Sequence, residues 1–338
     1  MKRLVICCDG TWNRADQERD GEPCPTNVVK LAYRVAKRDA AGNAQIVLYS
    51  HGVGTGNGLD RLSGGAFGAG LEDNIHEAYR FLVGNYELGD EIYIFGFSRG
   101  AFTARSLVGM IRNCGILTRG SVAQYRAAVS LYRDDARGPD HPFSIEFKHN
   151  YSVCTDGDVP VRFVGVWDTV GALGIPLAGL RSLTRRRHQF HDTQLSGIVE
   201  HAYHALAIDE RRGPFQPTLW DARNKPRQTV RQVWFCGVHS DIGGGYPDNG
   251  LSDISLQWMI DAAADAGLAF DQDVMRAAPL HGNPRGRLHD SRRGIYRFKR
   301  EHVRAIGRDE TQSLHPSVQE RWDTDPTYRP ANLQRYFG

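Results

Sequence analysis

The sequence predicts an α/β fold, with a mostly parallel central sheet of five strands and helices on both of its faces. Short apolar runs rich in Val, Ile, Phe and Tyr alternate along the chain with longer amphipathic runs. This is the pattern of helices packed on a parallel sheet. The apolar runs barely alternate with polar residues, as expected for strands that are covered on both faces.

The strands and helices alternate in order along the chain. The predicted strands are residues 3–8, 45–50, 91–97, 161–167 and 232–238, and the predicted helices are residues 27–38, 71–86, 99–113 and 253–266. Glu72 and Asp73 place carboxylates in a first helical turn, where the helix dipole favours them. Gly115 and Gly267 stand where helix-ending glycines are typical. Such a sheet binds ligands at the carboxyl ends of its strands.

Two segments fit this alternation less well. Residues 172–204 carry a basic patch that includes Arg181 and the run Arg185-Arg186-Arg187-His188. The patch is typical of a solvated surface, and it is also compatible with a lid-like insertion that meets anionic headgroups. Residues 276–338 are rich in Arg and interrupted by Pro, which indicates a C-terminal segment wrapped around the rest. We therefore expect a single domain over residues 1–338.

Composition argues against several function classes. The formal net charge of +3 over 338 residues is too small for a dedicated nucleic-acid binder. No apolar run approaches the roughly 20 residues of a membrane span, and the apolar stretch before Asp9 is too short for a signal peptide. We expect a cytoplasmic protein, although export by a route that needs no signal peptide is also open.

The six cysteines form no CxxC pair, which favours reduced, buried thiols. No pattern fixes the oligomeric state.

The motif Gly96-Phe97-Ser98-Arg99-Gly100 lies between a predicted strand and a predicted helix. In that context a G-x-S-x-G serine stands on a sharp turn, clear of the sheet, where it can attack a carbonyl carbon. The helix N-terminus behind it favours developing negative charge. An ordinary turn with Ser98 as helix cap would leave the same pattern. The strand-turn-helix context favours Ser98 as the nucleophile.

A nucleophilic serine needs a base, and the base needs a carboxylate to orient it. Asp168 and His239 each directly follow a predicted strand, and the order Ser98, Asp168, His239 is that of α/β-hydrolases. Asp168 could instead cap a helix, and His239 could be a core histidine. Three further histidines are rival bases: His51, His204 and His315.

The tetrahedral intermediate needs two backbone donors for its oxyanion. The Arg99 amide is one candidate, and the amide of Gly10 or Thr11, in the loop after the first strand, is the other. An Asx turn is the plain alternative for that loop. The residues predicted to bind substrate or line an apolar pocket are Asp9, Trp12, Phe97, Phe215 and Asp241. The chemistry requires no metal or other cofactor.

Two other function classes stay open at this point. Asp9, Asp168, His239 and Asp241 could gather at one crevice as the site of a metal-dependent phosphoesterase. A non-catalytic binding protein could also keep the scaffold of a hydrolase. Residues 52–58 are glycine-rich and follow a strand, but they lack the lysine and spacing of phosphate-binding loops.

Motifs spread from residue 7 into the C-terminal region resemble the DUF2235 family: CDGTWN, HGVGTG, GFSRGAFTAR, FVGVWDTVGALG, HALAIDERRGPFQPTLW, FCGVHSDIGGGYP and LHPSV. This family is similar to the catalytic domain of Tle1-type phospholipase effectors of bacterial type VI secretion. The resemblance implies a Ser-Asp-His hydrolase of acyl esters, with lipid or phospholipid esters as the substrate class. It implies Ser98 as nucleophile, Asp168 as acid and His239 as base, and its LHPSV stretch keeps His315 as a rival base. For such a protein, contact with a membrane surface is a further possibility.

Overall fold

A computed structural model describes residues 1–10, 13–52, 64–171, 194–221, 228–307 and 309–337. Its main feature is a seven-stranded sheet made of β1 (Arg3–Cys8), β4 (Gln45–Ser50), β5 (Glu91–Phe97), β6 (Val161–Trp167), β7 (Val199–Ala207), β8 (Thr229–Phe235) and β9 (Gln312–Leu314). The order in the sheet is β4-β1-β5-β6-β7-β8-β9, and every pair of neighbouring strands is parallel. A separate two-stranded hairpin consists of β2 (Glu18–Arg19) and β3 (Glu22–Pro23). The predicted α/β class is confirmed.

The prediction of five strands was wrong, because β7 and β9 also belong to the sheet. The sequence of β7, VEHAYHALA, contains three Ala residues and one Glu, which have low strand propensity, and its pairing with β6 and β8 overrides that preference. Part of the predicted lid-like insertion, residues 199–204, is therefore central strand. The rest of that insertion from 172 to 193, including the basic patch, lies outside the described residues. β9 has only three residues, too few for a sequence pattern.

Ten α-helices lie in the described part of the chain. They are α1 (Asn27–Ala32), α2 (Gly64–Asn85), α3 (Arg99–Cys114), α4 (Tyr125–Tyr132), α5 (Pro142–Tyr151), α6 (His239–Gly243), α7 (Gly250–Asp265), α8 (Gln272–Ala277), α9 (Pro316–Thr324) and α10 (Gln334–Phe337). The first predicted helix ends at Ala32 rather than near residue 38, because the chain there enters strand-like bridges to Phe270 and Ala44.

Both faces of the sheet are covered, as predicted. Successive strand side chains point to opposite faces: Leu4 and Ile6 of β1 pack with α2 and α3, whereas Val5 and Cys7 pack with α1 and α7. A third cluster joins Trp234 of β8 to the C-terminal segment through its Ile306, Val318 and Trp322. Within the described ranges, no helix is long and apolar enough to cross a bilayer.

The carboxyl ends of the strands bring the predicted site residues to one edge of the sheet. Asp9 follows β1, Ser98 follows β5 and Asp168 follows β6, and these strands lie in the sheet as neighbours. The register pairs Phe97 with Trp167, so Ser98 and Asp168 leave the sheet side by side. β8 ends at Phe235 rather than at residue 238, and three further residues lead to His239 at the start of α6.

Candidate active site

Ser98 occupies a strained turn between β5 and α3. Its backbone has φ 58° and ψ −118°, and a positive φ costs a residue with a side chain about 1–3 kcal/mol. Two glycines allow the close approach of backbones at this turn. A Cβ atom on Gly100 would lie 2.1 Å from the Cys8 carbonyl oxygen, and one on Gly96 would lie 2.5 Å from the Gly100 carbonyl oxygen. Ser98 therefore has the backbone setting in which a G-x-S-x-G serine is presented.

Asp168 and His239 lie 71 positions apart in the chain, and their side chains meet. The distance from His239 Nδ1 to Asp168 Oδ2 is 2.6 Å, and the two side chains are 6% and 0% exposed. An ionised carboxylate can only accept hydrogen bonds, so His239 Nδ1 carries the proton and donates to Asp168. In the neutral ring, Nε2 is then left as an acceptor. His239 thus has the tautomer that a general base requires.

The Asp168 carboxylate has two further partners. Arg304 donates to both of its oxygens, with Nη1 2.6 Å from Oδ1 and Nη2 3.0 Å from Oδ2. The Ala207 amide donates to Oδ1 at 3.0 Å. Burial opposes ionisation of Asp168, but the charges and hydrogen bonds of Arg304 and His239 outweigh it and hold its pKa well below the usual range. Asp168 is therefore a carboxylate throughout the physiological pH range.

The His239 ring lies between two aromatic rings. The ring centroid of Phe97 is 4.6 Å from that of His239, and the Phe215 centroid is 5.0 Å away in an edge-on contact. Burial lowers the pKa of His239 below its usual value, although Asp168 works in the opposite direction. The imidazole is therefore neutral near pH 7. Phe97 and Phe215, both predicted to line the pocket, contact the predicted base.

The Ser98 hydroxyl makes no hydrogen bond to any described residue. Its neighbour in the chain, Phe97, contacts the His239 ring, which places the serine turn and the imidazole on the same side of the sheet edge. Hydrogen bonds between catalytic groups are often long in structures without substrate. The bond from His239 to Asp168 is thus formed in this conformation, and one from Ser98 to His239 is not.

The loop after β1 approaches Ser98 closely. A Cβ atom on Gly10 would lie 3.3 Å from the Ser98 Cβ atom. The Gly10 amide donates to Asp9 Oδ1 at 2.6 Å, so this predicted oxyanion donor already has an acceptor. Thr11 and Trp12 lie outside the described residues. The Arg99 amide is at the first position of α3, where helical N–H groups point back toward the helix start.

Asp9 lies under this loop and is fully buried. Its Oδ2 accepts from the hydroxyls of Tyr49 at 2.6 Å and Thr26 at 2.8 Å. Burial raises the pKa of Asp9 to about 6, against the effect of these hydrogen bonds. The carboxyl group ties the loop to β4 and to the start of α1, so contact with a substrate would require it to give up one of these partners.

Asp241 supports the segment that carries His239. Its Oδ2 accepts from the Val238 amide at 3.0 Å, and its Oδ1 lies 2.6 Å from His289 Nδ1. The side chain is 1% exposed. Both oxygens are used within the protein, and the predicted substrate contact would have to displace one of these bonds.

The rival histidines have other partners. His315 caps α9, where its Nδ1 accepts from the Ser317 amide at 3.2 Å, and its ring stacks on Phe235. His204 Nε2 accepts from the Thr169 amide at 3.1 Å. The His51 ring contacts Tyr49 edge-on. Among the described residues, only His239 is hydrogen-bonded to Asp168 through its ring.

The metal-binding alternative requires several ligands around one point. Within the described ranges, no three His, Cys, Asp or Glu side chains are close enough to hold a metal ion. Asp168 pairs with His239, Asp241 pairs with His289, and Asp9 faces hydroxyl groups. This arrangement does not favour the phosphoesterase hypothesis.

Sequence reasoning did not identify Arg304, nor the role of Glu210. The Glu210 side chain accepts from the His239 amide at 3.3 Å and from Ser291 Oγ at 3.0 Å. It also forms two hydrogen bonds with the Arg212 guanidinium, whose plane lies over Phe215. The run Glu210-Arg211-Arg212 shows the charges, but no local pattern reveals which of them faces the site.

The comparisons with known proteins identify the family of the chain. Residues 2–262 match the family model for the catalytic domain of Tle1-like phospholipase effectors of type VI secretion systems. The chain belongs to this family. The resemblance to the DUF2235 family is thereby confirmed. The family model ends before residues 263–338, so Arg304 lies outside the matched part.

Similar proteins were also found among curated sequences and solved structures. The uncharacterized protein YEL023C of Saccharomyces cerevisiae is 34% identical over 236 residues, which are 64% of this chain and 32% of that protein. The chain thus spans about a third of that relative's length. An uncharacterized protein from Pseudomonas aeruginosa aligns with a TM-score of 0.43 and 18% identity, over 80% of this chain and 46% of the other. The Tle1 effector, in its complex with the VgrG spike, aligns with a TM-score of 0.48 and 16% identity, over 82% and 75%.

Proposed function

We propose that this chain is a serine hydrolase that cleaves carboxylic acyl esters. Ser98 is the nucleophile, His239 the general base and Asp168 the residue that orients it. The observation that carries the proposal is the buried hydrogen bond from His239 to Asp168, formed beside a serine held on a strained strand-to-helix turn. These are the parts that acyl transfer through a serine requires.

In the proposed reaction, Ser98 Oγ attacks the ester carbonyl carbon while His239 Nε2 takes the hydroxyl proton. In this proposal the amide of Arg99, together with that of Gly10 or Thr11, holds the oxyanion of the tetrahedral intermediate. The C–O bond to the alcohol then breaks, and His239 returns the proton to the leaving oxygen. Water attacks the acyl-enzyme in the same manner, which releases the acid and restores the Ser98 hydroxyl. No cofactor takes part in this sequence.

Lipid esters, including phospholipids, are the proposed substrate class. The matching family is that of Tle1-like phospholipase effectors, which supports this choice at the level of the family. The Phe97 and Phe215 rings beside His239 give the site apolar walls, as expected where an acyl chain binds.

The proposal includes contact with a membrane surface. The Phe298 side chain is 93% exposed, and exposed cations surround it in the chain: Arg293, Arg297, Lys299 and Arg300. Tyr296 of the same turn contacts Phe215 at a centroid distance of 6.2 Å, so the turn adjoins the site. An exposed aromatic ring among cations suits a surface of anionic lipid. Phe298→Ser should weaken sedimentation with phosphatidylglycerol vesicles, and unchanged sedimentation would refute this contact.

The experiment that tests the proposed activity is labelling with a fluorophosphonate probe, with the modified residue mapped by peptide mass. We expect the adduct on Ser98. Ser98→Ala should lower ester turnover by roughly four to six powers of ten. Ser313 is an exposed serine of β9, and the control variant Ser313→Ala should turn over ester like the wild type. Turnover that survives Ser98→Ala but is lost with a chelator would support the phosphoesterase alternative. Neither labelling nor turnover would support a non-catalytic binding protein.

A further inference from the structure

We propose that Arg304 is a positioning residue of the hydrolase site, which sets the orientation of Asp168 and keeps His239 unprotonated at lower pH. The proposal rests on the function proposed above and adds a residue beyond the part matched by the family model, which ends at residue 262. Arg304 lies in the C-terminal segment that the sequence indicated only as a wrap.

The contacts of Arg304 fix the plane of the carboxylate. Its two terminal nitrogens reach the two oxygens of Asp168, and the side chains of Arg304 and Asp168 are 1% and 0% exposed. The same guanidinium donates to the carbonyl oxygens of Ala207 and Phe215. A planar guanidinium that binds a carboxylate through two parallel hydrogen bonds restricts its rotation. Asp168 Oδ2 is thereby held where His239 Nδ1 meets it.

The charge of Arg304 matters as much as its geometry. With Arg304 present, the buried carboxylate is already neutralised before His239 takes a proton. Without it, Asp168 would be an unbalanced buried anion, and protonation of His239 would relieve that imbalance. Loss of the Arg304 charge should therefore make protonation of His239 easier. The acid limb of the pH–rate profile, where His239 becomes protonated and the rate falls, should therefore move to higher pH.

The other charged groups near His239 leave this expectation unchanged. Glu210 and Arg212, which follow β7, pair with one another. On α6 itself, Asp241 pairs with His289. His204 of β7 is buried, and burial lowers its pKa to about 3, so it is neutral in the range of interest. Asp168 and Arg304 are thus the charges whose balance changes in the proposed variants.

The test compares Arg304→Gln and Arg304→Lys with a control, Arg321→Gln. Arg321 is also a buried arginine of the C-terminal segment, but it donates to the carbonyl oxygens of Pro284 and Gly286. The measurements are kcat/KM against pH with a soluble ester, the rate of fluorophosphonate labelling against pH, and Tm. We expect Arg304→Gln to raise the midpoint of the acid limb by about one pH unit and to lower the plateau about tenfold or more.

Arg304→Lys keeps the charge but loses the paired hydrogen bonds. Its acid limb should stay within about 0.3 pH unit of the wild type while its plateau falls. Arg321→Gln should lower Tm without moving the limb. An unmoved limb in folded Arg304→Gln overturns the proposal. If that variant does not fold, a moved limb or an unchanged plateau in Arg304→Lys overturns it instead.

The failure of this proposal differs from the failure of the proposed function. If Arg304 has no positioning role, Ser98→Ala is still inactive and the wild type is still labelled on Ser98. If the chain is not a serine hydrolase, labelling and the effect of Ser98→Ala are both absent, whatever Arg304→Gln does.

Discussion

Asp168→Asn is the substitution whose outcome the structure determines most closely. Four N–H groups converge on the carboxylate: His239 Nδ1, Arg304 Nη1, Arg304 Nη2 and the Ala207 amide. An asparagine side chain offers one oxygen and one NH₂ group to the same four positions. In either orientation, its NH₂ group faces groups that donated to the carboxylate.

The two orientations differ in how many donors they oppose. With NH₂ in the Oδ1 position, it faces the Ala207 amide and Arg304 Nη1, and neither of these can become an acceptor. With NH₂ in the Oδ2 position, it faces Arg304 Nη2 and the imidazole, and His239 can accept by moving its proton from Nδ1 to Nε2. The second orientation opposes fewer donors. In it, Nε2 carries the proton and cannot accept one from Ser98.

The expected magnitudes follow from these contacts. Wrong-tautomer histidine in a serine triad lowers kcat by about four powers of ten, and we expect a loss of that size. Stability should also fall, because Arg304 keeps its buried charge and loses its counter-ion. Breaking a buried pair in this way costs about 3–5 kcal/mol. The variant should therefore fold with a lower Tm and turn over ester slowly.

The assay is ester turnover at pH 7–8 together with Tm for Asp168→Asn and a matched control, Asp209→Asn. Asp209 is also a fully buried carboxylate, and it accepts from the Gly237 amide and the Tyr328 hydroxyl. The control should lose stability without a comparable loss of turnover. Folded Asp168→Asn with turnover within about tenfold of the wild type would refute the tautomer argument.

Three further predictions test the site and its surroundings. The wild-type kcat/KM should fall toward acid pH with a midpoint below about 6.5, because burial lowers the pKa of His239 and only the neutral ring accepts a proton; a midpoint above 7 would contradict this. His315→Ala should keep turnover within about twofold while losing about 1 kcal/mol of stability, since the side chain caps α9; a severe loss of turnover would restore His315 as the base. Gly100→Ala should lower the free energy of unfolding by about 1–3 kcal/mol and reduce turnover as well, because its Cβ atom would lie 2.1 Å from the Cys8 carbonyl oxygen. A variant with the stability and turnover of the wild type would show that the turn can relax.

The sequence was sufficient for the parts of the site that depend on local order. Ser98 and Asp168 follow strands whose buried apolar runs are legible, and parallel strands bring their carboxyl ends to one edge. His239 was predicted from a strand placed three residues too late, yet it lies on the same edge because residues 236–238 continue from β8 in that direction. The pairing of His239 with Asp168 was inferred from chain order, and the hydrogen bond between them is present.

The features that the sequence did not reveal depend on long-range packing. Arg304 is 136 positions from Asp168, in an Arg-rich segment where no pattern distinguishes the buried arginines from the exposed ones. β7 was missed because its Ala and Glu residues have low strand propensity, whereas its pairing with β6 and β8 places it in the sheet. The sequence also did not reveal that the Asp241 carboxylate pairs with His289, 48 positions away. In each case the deciding partner is remote in the chain.

The strain at Ser98 leads to a last prediction, which separates backbone from side chain. Asp20, Ser98 and Asp168 are the non-glycine residues with positive φ in the described ranges, and two of them belong to the proposed triad. Ser98→Ala and Ser98→Gly both remove the hydroxyl, but only glycine adopts φ 58° without steric cost. Glycine also gains freedom in the unfolded chain, which offsets part of the relief.

We therefore expect Ser98→Gly to be as inactive as Ser98→Ala but more stable, by about 1 kcal/mol. The measurement is the midpoint of chemical denaturation for the two variants under identical conditions, with equal denaturant slopes as the check that unfolding is comparable. Equal midpoints, or a lower one for Ser98→Gly, would mean that the turn stores no strain at this position. The presentation of Ser98 would then be due to the close packing at Gly96 and Gly100 alone.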